Sequence, residues 1–253
     1  FLEYAESLGA EKIATGHYAS KSMNGNSIQL LKSIDNNKDQ SYFLCCLNQK
    51  QLNKTLFPVG NLYKKEVREL AKRAGLITHN KKDSTGICFI GEQPFRDFLG
   101  SFIKPKRGLI KSVDGESIGE HDGTFFYTLG QRQGLGIGGV KNATHSPWYI
   151  VKKNTDSNEL IVAQDHDHPY LHSKNLVVIN VNWISGESPL LPLKCKAKCR
   201  YRQSDQECTV FAGNNNDLIV KFEFSQRAVT PGQYIVFYNK NECLGGGIID
   251  SSY

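Results

Sequence analysis

Apolar residues at the start of the chain recur at helical spacing, with Leu2, Ala5 and Leu8 on one face and Gly9 behind them. Lys12-Ile13-Ala14-Thr15-Gly16-His17 follows as a short buried strand closed by glycine, so the opening reads helix then strand. That order belongs to an α/β sheet, where ligands gather beyond the carboxyl ends of the strands, and Gly16-His17 stands at such an end. A second amphipathic helix is predicted over Asn61 to Ala74. Tyr63, Val67, Leu70, Ala71 and Ala74 form its apolar stripe, Lys64, Lys65, Arg68, Lys72 and Arg73 lie largely outside it, and Gly75 stops it. Phe95, Phe98, Leu99 and Phe102 repeat the helical period once more. Ser41 to Leu47 is an apolar run, and both of its cysteines, Cys45 and Cys46, read as core.

From about Gly108 the pattern changes to short strands separated by Asp114-Gly115, Asp122-Gly123, Asn154 to Asn158, Asn214 to Asn216 and Asn239 to Asn241. This is hairpin punctuation and predicts a mostly antiparallel β second half. The expected strands include Phe125 to Thr128, Trp148 to Lys152, Leu160 to Ala163, Leu176 to Trp183, Leu218 to Phe224 and Tyr234 to Tyr238. The polar stretch Asp165 to Ser173 is expected to separate two β-rich blocks, and its His166 and His168 read as a polar connection rather than a metal cluster. No repeat or low-complexity tract is visible.

A chain of 253 residues with 39% hydrophobic residues can bury a sizeable core, and no apolar run approaches the ~18 residues of a membrane span. Seven unevenly spaced cysteines argue against a disulfide framework and for a reducing, cytoplasmic setting. Cys195, Cys199, Cys208 and Cys243 form no C-x2-C knuckle and read as buried thiols rather than zinc ligands. The glycines from Gly134 to Gly139 do not fit G-x-G-x-x-G and lead toward a strand, so they read as a connection rather than a nucleotide loop. The net charge of +6 is compatible with an anionic partner.

Within Lys194-Cys195-Lys196-Ala197-Lys198-Cys199-Arg200-Tyr201-Arg202 the charges alternate at strand period. Five cations are expected on one face, about 6.7 Å apart, with Cys195, Ala197, Cys199 and Tyr201 on the other. A solvated face is one reading; a nucleic-acid contact, with Tyr201 able to stack, is the one the uninterrupted run favours. Cys88 lies in Asp83-Ser84-Thr85-Gly86-Ile87-Cys88-Phe89, after Lys81-Lys82, where cations and free N–H groups would lower a thiol pKa. On these residues alone the signal is weak, and an inert buried cysteine is the better reading.

Seven segments in order along the chain resemble the bacterial tRNA-specific 2-thiouridylase family. They are Ala14 to Tyr18, Lys38 to Leu44, Leu56 to Gly60, Asp83 to Gly91, Thr128 to Gly134, Arg200 to Gln203 and Ala228 to Gln233. The resemblance implies an α/β plus β fold: the remainder of an adenine-nucleotide α-hydrolase-like (Rossmann-like) domain over 1–93, a small central domain over 94–168, and a C-terminal antiparallel β-barrel over 169–253. It implies ATP-dependent adenylation of the wobble uridine O2 and replacement of that oxygen by sulfur from a cysteine persulfide. Cys88 matches the persulfide cysteine and Gly16 a nucleotide-binding glycine. His17, Lys38, Asp39, Gln40, Arg200, Tyr201 and Gln233 match tRNA-contacting positions. ATP with Mg as co-substrate, tRNA as partner and a persulfide donor or relay protein follow from the same resemblance. The family's Ser-Gly-Gly-Val-Asp-Ser loop and its Asn-Pro-Asp-x-x-Cys cysteine are not among these residues, so a non-catalytic tRNA-binding remnant is the alternative expectation.

Overall fold

The computed structural model describes residues 1–81, 94–138, 144 and 146–253. Its first elements are α1 (Leu2–Ser7), β1 (Ile13–Ala14), β2 (Ala19–Asn24), β3 (Ser27–Lys32), α2 (Gln49–Lys54), β4 (Thr55–Leu56) and α3 (Lys64–Arg73). Next come α4 (Phe95–Phe102), β5 (Gly108–Ser112), β6 (Ser117–His121), β7 (Trp148–Asn154) and β8 (Glu159–Gln164). Last are β9 (His172–Trp183), β10 (Leu193–Lys198), β11 (Gln206–Ala212), β12 (Leu218–Arg227), β13 (Tyr234–Asn239) and β14 (Glu242–Ser252). The chain divides into two compact units, one of residues 1–81, 174–224 and 231–252, the other of 82–173, 225–230 and 253. No helix among the described residues is long and apolar enough to cross a membrane.

In the first unit, β13, β10, β11, β12, β9 and β14 follow one another and β13 pairs back to β14, closing a six-stranded barrel. Closure removes the free edges that such strands would otherwise expose. The β2–β3 hairpin extends this sheet, since Leu30 and Leu31 of β3 pair with Cys243 and Glu242 of β14. Four consecutive residues of β13, Ile235 to Tyr238, are buried. Period-two alternation sends them to two different faces. Val236 and Tyr238 pack with Ala19, Leu30, Tyr42, Leu44, Cys45 and Leu52 of the amino-terminal segment. Beside them runs Gly245-Gly246-Gly247, and a Cβ on Gly246 would press on the Cys45 sulfur and the Ile235 carbonyl. β1 and β4 form a two-stranded parallel pair, Ile13 opposite Thr55 and Ala14 opposite Leu56.

The second unit carries the sheet β6-β5-β8-β7, parallel only between β5 and β8. Ile110, Ile150, Leu160 and Val162 are fully buried at its centre.

Two expectations change here. Phe125 to Thr128 is not a strand: Thr124–Phe126 is a 3-10 turn entered from Gly123 at φ 144°. The Phe126 N–H bonds the Gly123 carbonyl and the Phe125 and Phe126 rings lie 4.2 Å apart, so local bonds replace a ladder. The helix expected over 61–74 forms as α3, yet its stripe is not a buried one. Val67 and Ala71 are half-buried, whereas Tyr63 and Leu70 are exposed.

Candidate functional site

Segment 33–44 is built around buried carboxylates. The Ser33 and Ser41 N–H groups donate to Asp39 Oδ1 at 3.1 and 3.2 Å, and the Ser41 hydroxyl donates to Oδ2 at 2.9 Å. Asp39 is 6% exposed, so its side chain organises the loop from within. Asp35, also buried, accepts the Asn37 N–H and the Lys64 N–H, which fixes the start of α3 to the same loop. Gly60 closes from the other side: its carbonyl accepts the Ser33 hydroxyl at 3.0 Å, and a Cβ there would overlap the Ala19 carbonyl. Glycine is thus required in Leu56-Phe57-Pro58-Val59-Gly60 by a close backbone approach.

The strand end at Gly16 and His17 is tied to this loop by a two-way clasp. The Tyr18 N–H donates to Gln40 Oε1 at 2.9 Å, and the Gln40 N–H donates to the Tyr18 carbonyl at 2.8 Å. His17 is half-buried with Nδ1 2.7 Å from Thr15 Oγ1, and burial lowers its pKa below the usual 6.5, keeping the ring neutral at pH 7. Gly16 is exposed, and a Cβ on it would meet nothing within 4 Å. Among the described residues, then, no close packing explains a glycine at this position.

On the other side the loop carries Tyr42 and Phe43 to the turn after β10. The Tyr201 ring centroid lies 4.5 Å from Phe43 and 6.2 Å from Tyr42. Phe43 is 56% exposed, so this aromatic group has an outer face. The Tyr42 hydroxyl donates to the Tyr234 carbonyl at 2.9 Å, next to the exposed Gln233. Segment 38–44 therefore holds Tyr18, Tyr201 and Tyr234, which are next in the chain to His17, Arg200 and Gln233 and come from parts of the sequence more than two hundred residues apart.

Beside it, a groove of about 710 Å³ opens along β10 and β13, lined by six cations and three carboxylates. The basic ridge is only partly as expected. Cys195, Ala197 and Cys199 are buried while Lys194, Lys196 and Lys198 face outward, but β10 ends at Lys198 and Arg200 and Arg202 lie in the turn beyond it. Acids on and before the neighbouring strand face the ridge: Lys196 pairs with Glu207 at 3.1 Å and Lys198 with Asp205 at 3.5 Å. Asp205 also holds Lys32 at 2.5 Å, and both lysines sit over the Tyr238 ring, at 4.2 Å for Lys32 and 5.4 Å for Lys198. Tyr201, expected to be able to stack on a ligand, spends much of its ring on Tyr42 and Phe43. Lys32, Asp205, Tyr238 and Phe43 escaped the sequence reading, because their meeting depends on barrel closure and not on local spacing.

Burial raises the thiol pKa values of Cys45, Cys199, Cys208 and Cys243, Cys199 up to about 12. For Cys208 the adjacent Cys195 sulfur, 3.7 Å away across the rung, is the larger cause. These four stay protonated at neutral pH and are poor nucleophiles. Cys46 corrects an expectation: it is exposed, since the helical turn Ser41–Leu44 points Cys45 inward and leaves its neighbour outside. Cys88 lies outside the described residues.

Comparison with known proteins covers nearly the whole chain. Residues 1–92 match the family model described as a tRNA methyl transferase HUP domain, 96–164 a tRNA methyl transferase PRC-barrel domain, and 173–249 an aminomethyltransferase beta-barrel domain. A tRNA-specific 2-thiouridylase MnmA of Legionella pneumophila (strain Lens) is 54% identical over 250 residues, 99% of this chain and 69% of that protein. The MnmA of Coxiella burnetii (strain RSA 493 / Nine Mile phase I) is 53% identical over 249 residues, 98% of this chain and 69% of that protein. The MnmA of Marinomonas sp. (strain MWYL1) is 52% identical over 253 residues, 100% of this chain and 65% of that protein.

Proposed function

We propose, from the premise that this chain belongs to the tRNA-specific 2-thiouridylase family, that it acts on tRNA as a uridine 2-sulfurtransferase. The observation that carries the reading is that segment 38–44 holds Tyr18, Tyr201 and Tyr234, each within or beside a family-matching segment, next to a cationic groove. The family-model descriptions speak of methyl transfer and the relatives' names of thiolation. Identity above 50% over almost the full chain gives the relatives the greater weight.

In this reading the groove and Lys38 hold RNA phosphates, and the exposed face of Phe43 offers a surface for a base. The open backbone at Gly16 fits the close approach of an adenylate. ATP, as co-substrate, supplies the activation: the uridine O2 attacks the α-phosphorus, an O–P bond forms and pyrophosphate leaves. Mg is expected to enter with ATP, on its phosphates. The outer sulfur of a Cys88 persulfide then attacks C2, the C2–O2 bond breaks and AMP leaves with the oxygen. The thiolate of a second cysteine, the role the resemblance gives to the family's Asn-Pro-Asp-x-x-Cys cysteine and to no cysteine among these residues, attacks the Cys88 sulfur and breaks the S–S bond, leaving a disulfide with Cys88 and C2=S on the base. A persulfide donor reloads Cys88 after that disulfide is reduced. His17, neutral and fixed by Thr15, serves as a neutral hydrogen-bonding partner at the strand end.

The test is nucleoside mass spectrometry of tRNA from cells in which this gene is the only copy. Sulfur-for-oxygen exchange at uridine, lost on Cys88→Ser, supports the reading. A methylated uridine in its place, or tRNA binding with no modified base, overturns it, the latter in favour of a tRNA-binding remnant.

A further inference from the structure

α3 carries a feature that the reading above does not use. Lys64, Lys65, Arg68 and Lys72 line a cleft of about 310 Å³ together with His79 of the turn Ile77–Asn80, and Glu69 is the only carboxylate among its described lining residues. Spacings of three and four place these cations on one helical face, and the rise from Lys64 to Lys72 is about 12 Å. Glu66 in the first turn and Lys72 in the last suit the helix dipole, but other charges of this face work against the helix. Lys64 to Arg68 and Arg68 to Lys72 are like charges one turn apart, and Lys64 and Lys65 sit in the first turn, where the helix dipole disfavours cations. An anion lying along the face reverses both costs.

The cleft is also built onto the site. The Lys64 N–H is held by Asp35 of the loop that carries Lys38, and Lys64 Nζ lies 5.3 Å from the centre of the Tyr18 ring, whose backbone clasps Gln40. We propose that the basic face of α3 is a second seat for the RNA backbone, taking successive phosphates of the strand that segment 38–44 receives. Cations strung along about 12 Å suit a chain of phosphates better than one compact polyphosphate. The inference rests on the tRNA reading above and extends it to residues outside the groove.

Salt-titrated binding of tRNA to the chain tests it, with Lys65→Ala/Lys72→Ala as the variant and Lys194→Ala/Lys240→Ala, in the groove, as the comparison. Loss of two phosphate contacts should reduce the slope of log K against log[salt] by roughly 1.4–1.8. Circular dichroism of the variant should match the wild type, both residues being exposed, and Lys65→Arg/Lys72→Arg should restore the slope. An unchanged slope in the α3 variant, with a reduced one in the groove variant, overturns the inference and leaves the tRNA reading standing. Weakened ATP binding with an unchanged tRNA slope overturns it in favour of a nucleotide site. Failure of the wild-type chain to bind tRNA overturns the tRNA reading and the inference together.

Discussion

Asp205 holds Lys32 at 2.5 Å and Lys198 at 3.5 Å inside the groove, and the three side chains are 22%, 10% and 13% exposed. Asp205→Asn keeps the shape and removes the carboxylate that pairs with both lysines. Exposed ion pairs contribute about 0.2–1 kcal/mol, whereas breaking a buried pair costs about 3–5. This triad lies between those limits, so a loss of about 2–3 kcal/mol is expected, or roughly 4–12 °C in Tm for a chain of this size. Binding should move the opposite way. If a phosphate sits where the carboxylate competes for the lysines, removing a unit charge about 4 Å away in a water-like dielectric yields about 1 kcal/mol, close to fivefold in Kd. tRNA at a hundred times its Kd should then return about 2.7 kcal/mol of stability to the variant. Thermal unfolding with and without tRNA, next to a binding titration at fixed salt, reads both signs. Affinity that is unchanged or weaker in the variant refutes the groove as a phosphate seat, and unchanged stability refutes the triad.

Cys88→Ser should abolish 2-thiouridine formation while tRNA binding survives, and Cys46→Ser should leave thiolation intact; thiolation that depends on Cys46 instead moves the persulfide to that exposed thiol. Gly16→Ala should change stability by less than about 0.5 kcal/mol, since its Cβ meets nothing within 4 Å, yet weaken ATP binding by tenfold or more in calorimetric titration; normal ATP affinity would detach Gly16 from the nucleotide. The folded state keeps the Cys199 proton up to about pH 12, whereas the unfolded chain loses it from about 9. Below pH 9 that contribution to stability is fully present, and above it stability falls by about 1.4 kcal/mol per pH unit for this thiol. Cys199→Ala should flatten the decline between about pH 9 and 10.5 in urea unfolding, and parallel curves would contradict the assigned burial.

Much of this was legible in the sequence because its signals are local. Gly9 and Gly75 stand just beyond α1 and α3, and the Asn/Asp/Gly clusters mark the turns between β-strands, since positive φ favours those residues. The β2–β3 hairpin is missed in the sequence, although Gly25-Asn26 is a turn signal of the same kind, because hairpin punctuation is read only from about Gly108 onward; its place beside the barrel is set by the pairing of β3 with β14. What could not be read is set by barrel closure. Lys198 alternates as a ridge residue should, but its partner Asp205 comes from the turn preceding β11, and Lys32 arrives from a hairpin more than 160 residues earlier. Cys46 looks like core because an unbroken apolar run reads as buried throughout, whereas the 3-10 turn Ser41–Leu44 turns Cys45 inward and leaves Cys46 outside. The stripe of α3 shows the reverse limit: periodicity predicts a helix and its apolar face, but not what covers that face.

The most direct test is hydrogen exchange across the whole chain with and without tRNA. Segment 38–44 is held to Tyr18, Tyr201 and Tyr234 as one assembly, so tRNA should slow exchange together at 16–18, 38–44 and 194–205. Protection confined to 94–173, with those three segments unchanged, would contradict the account.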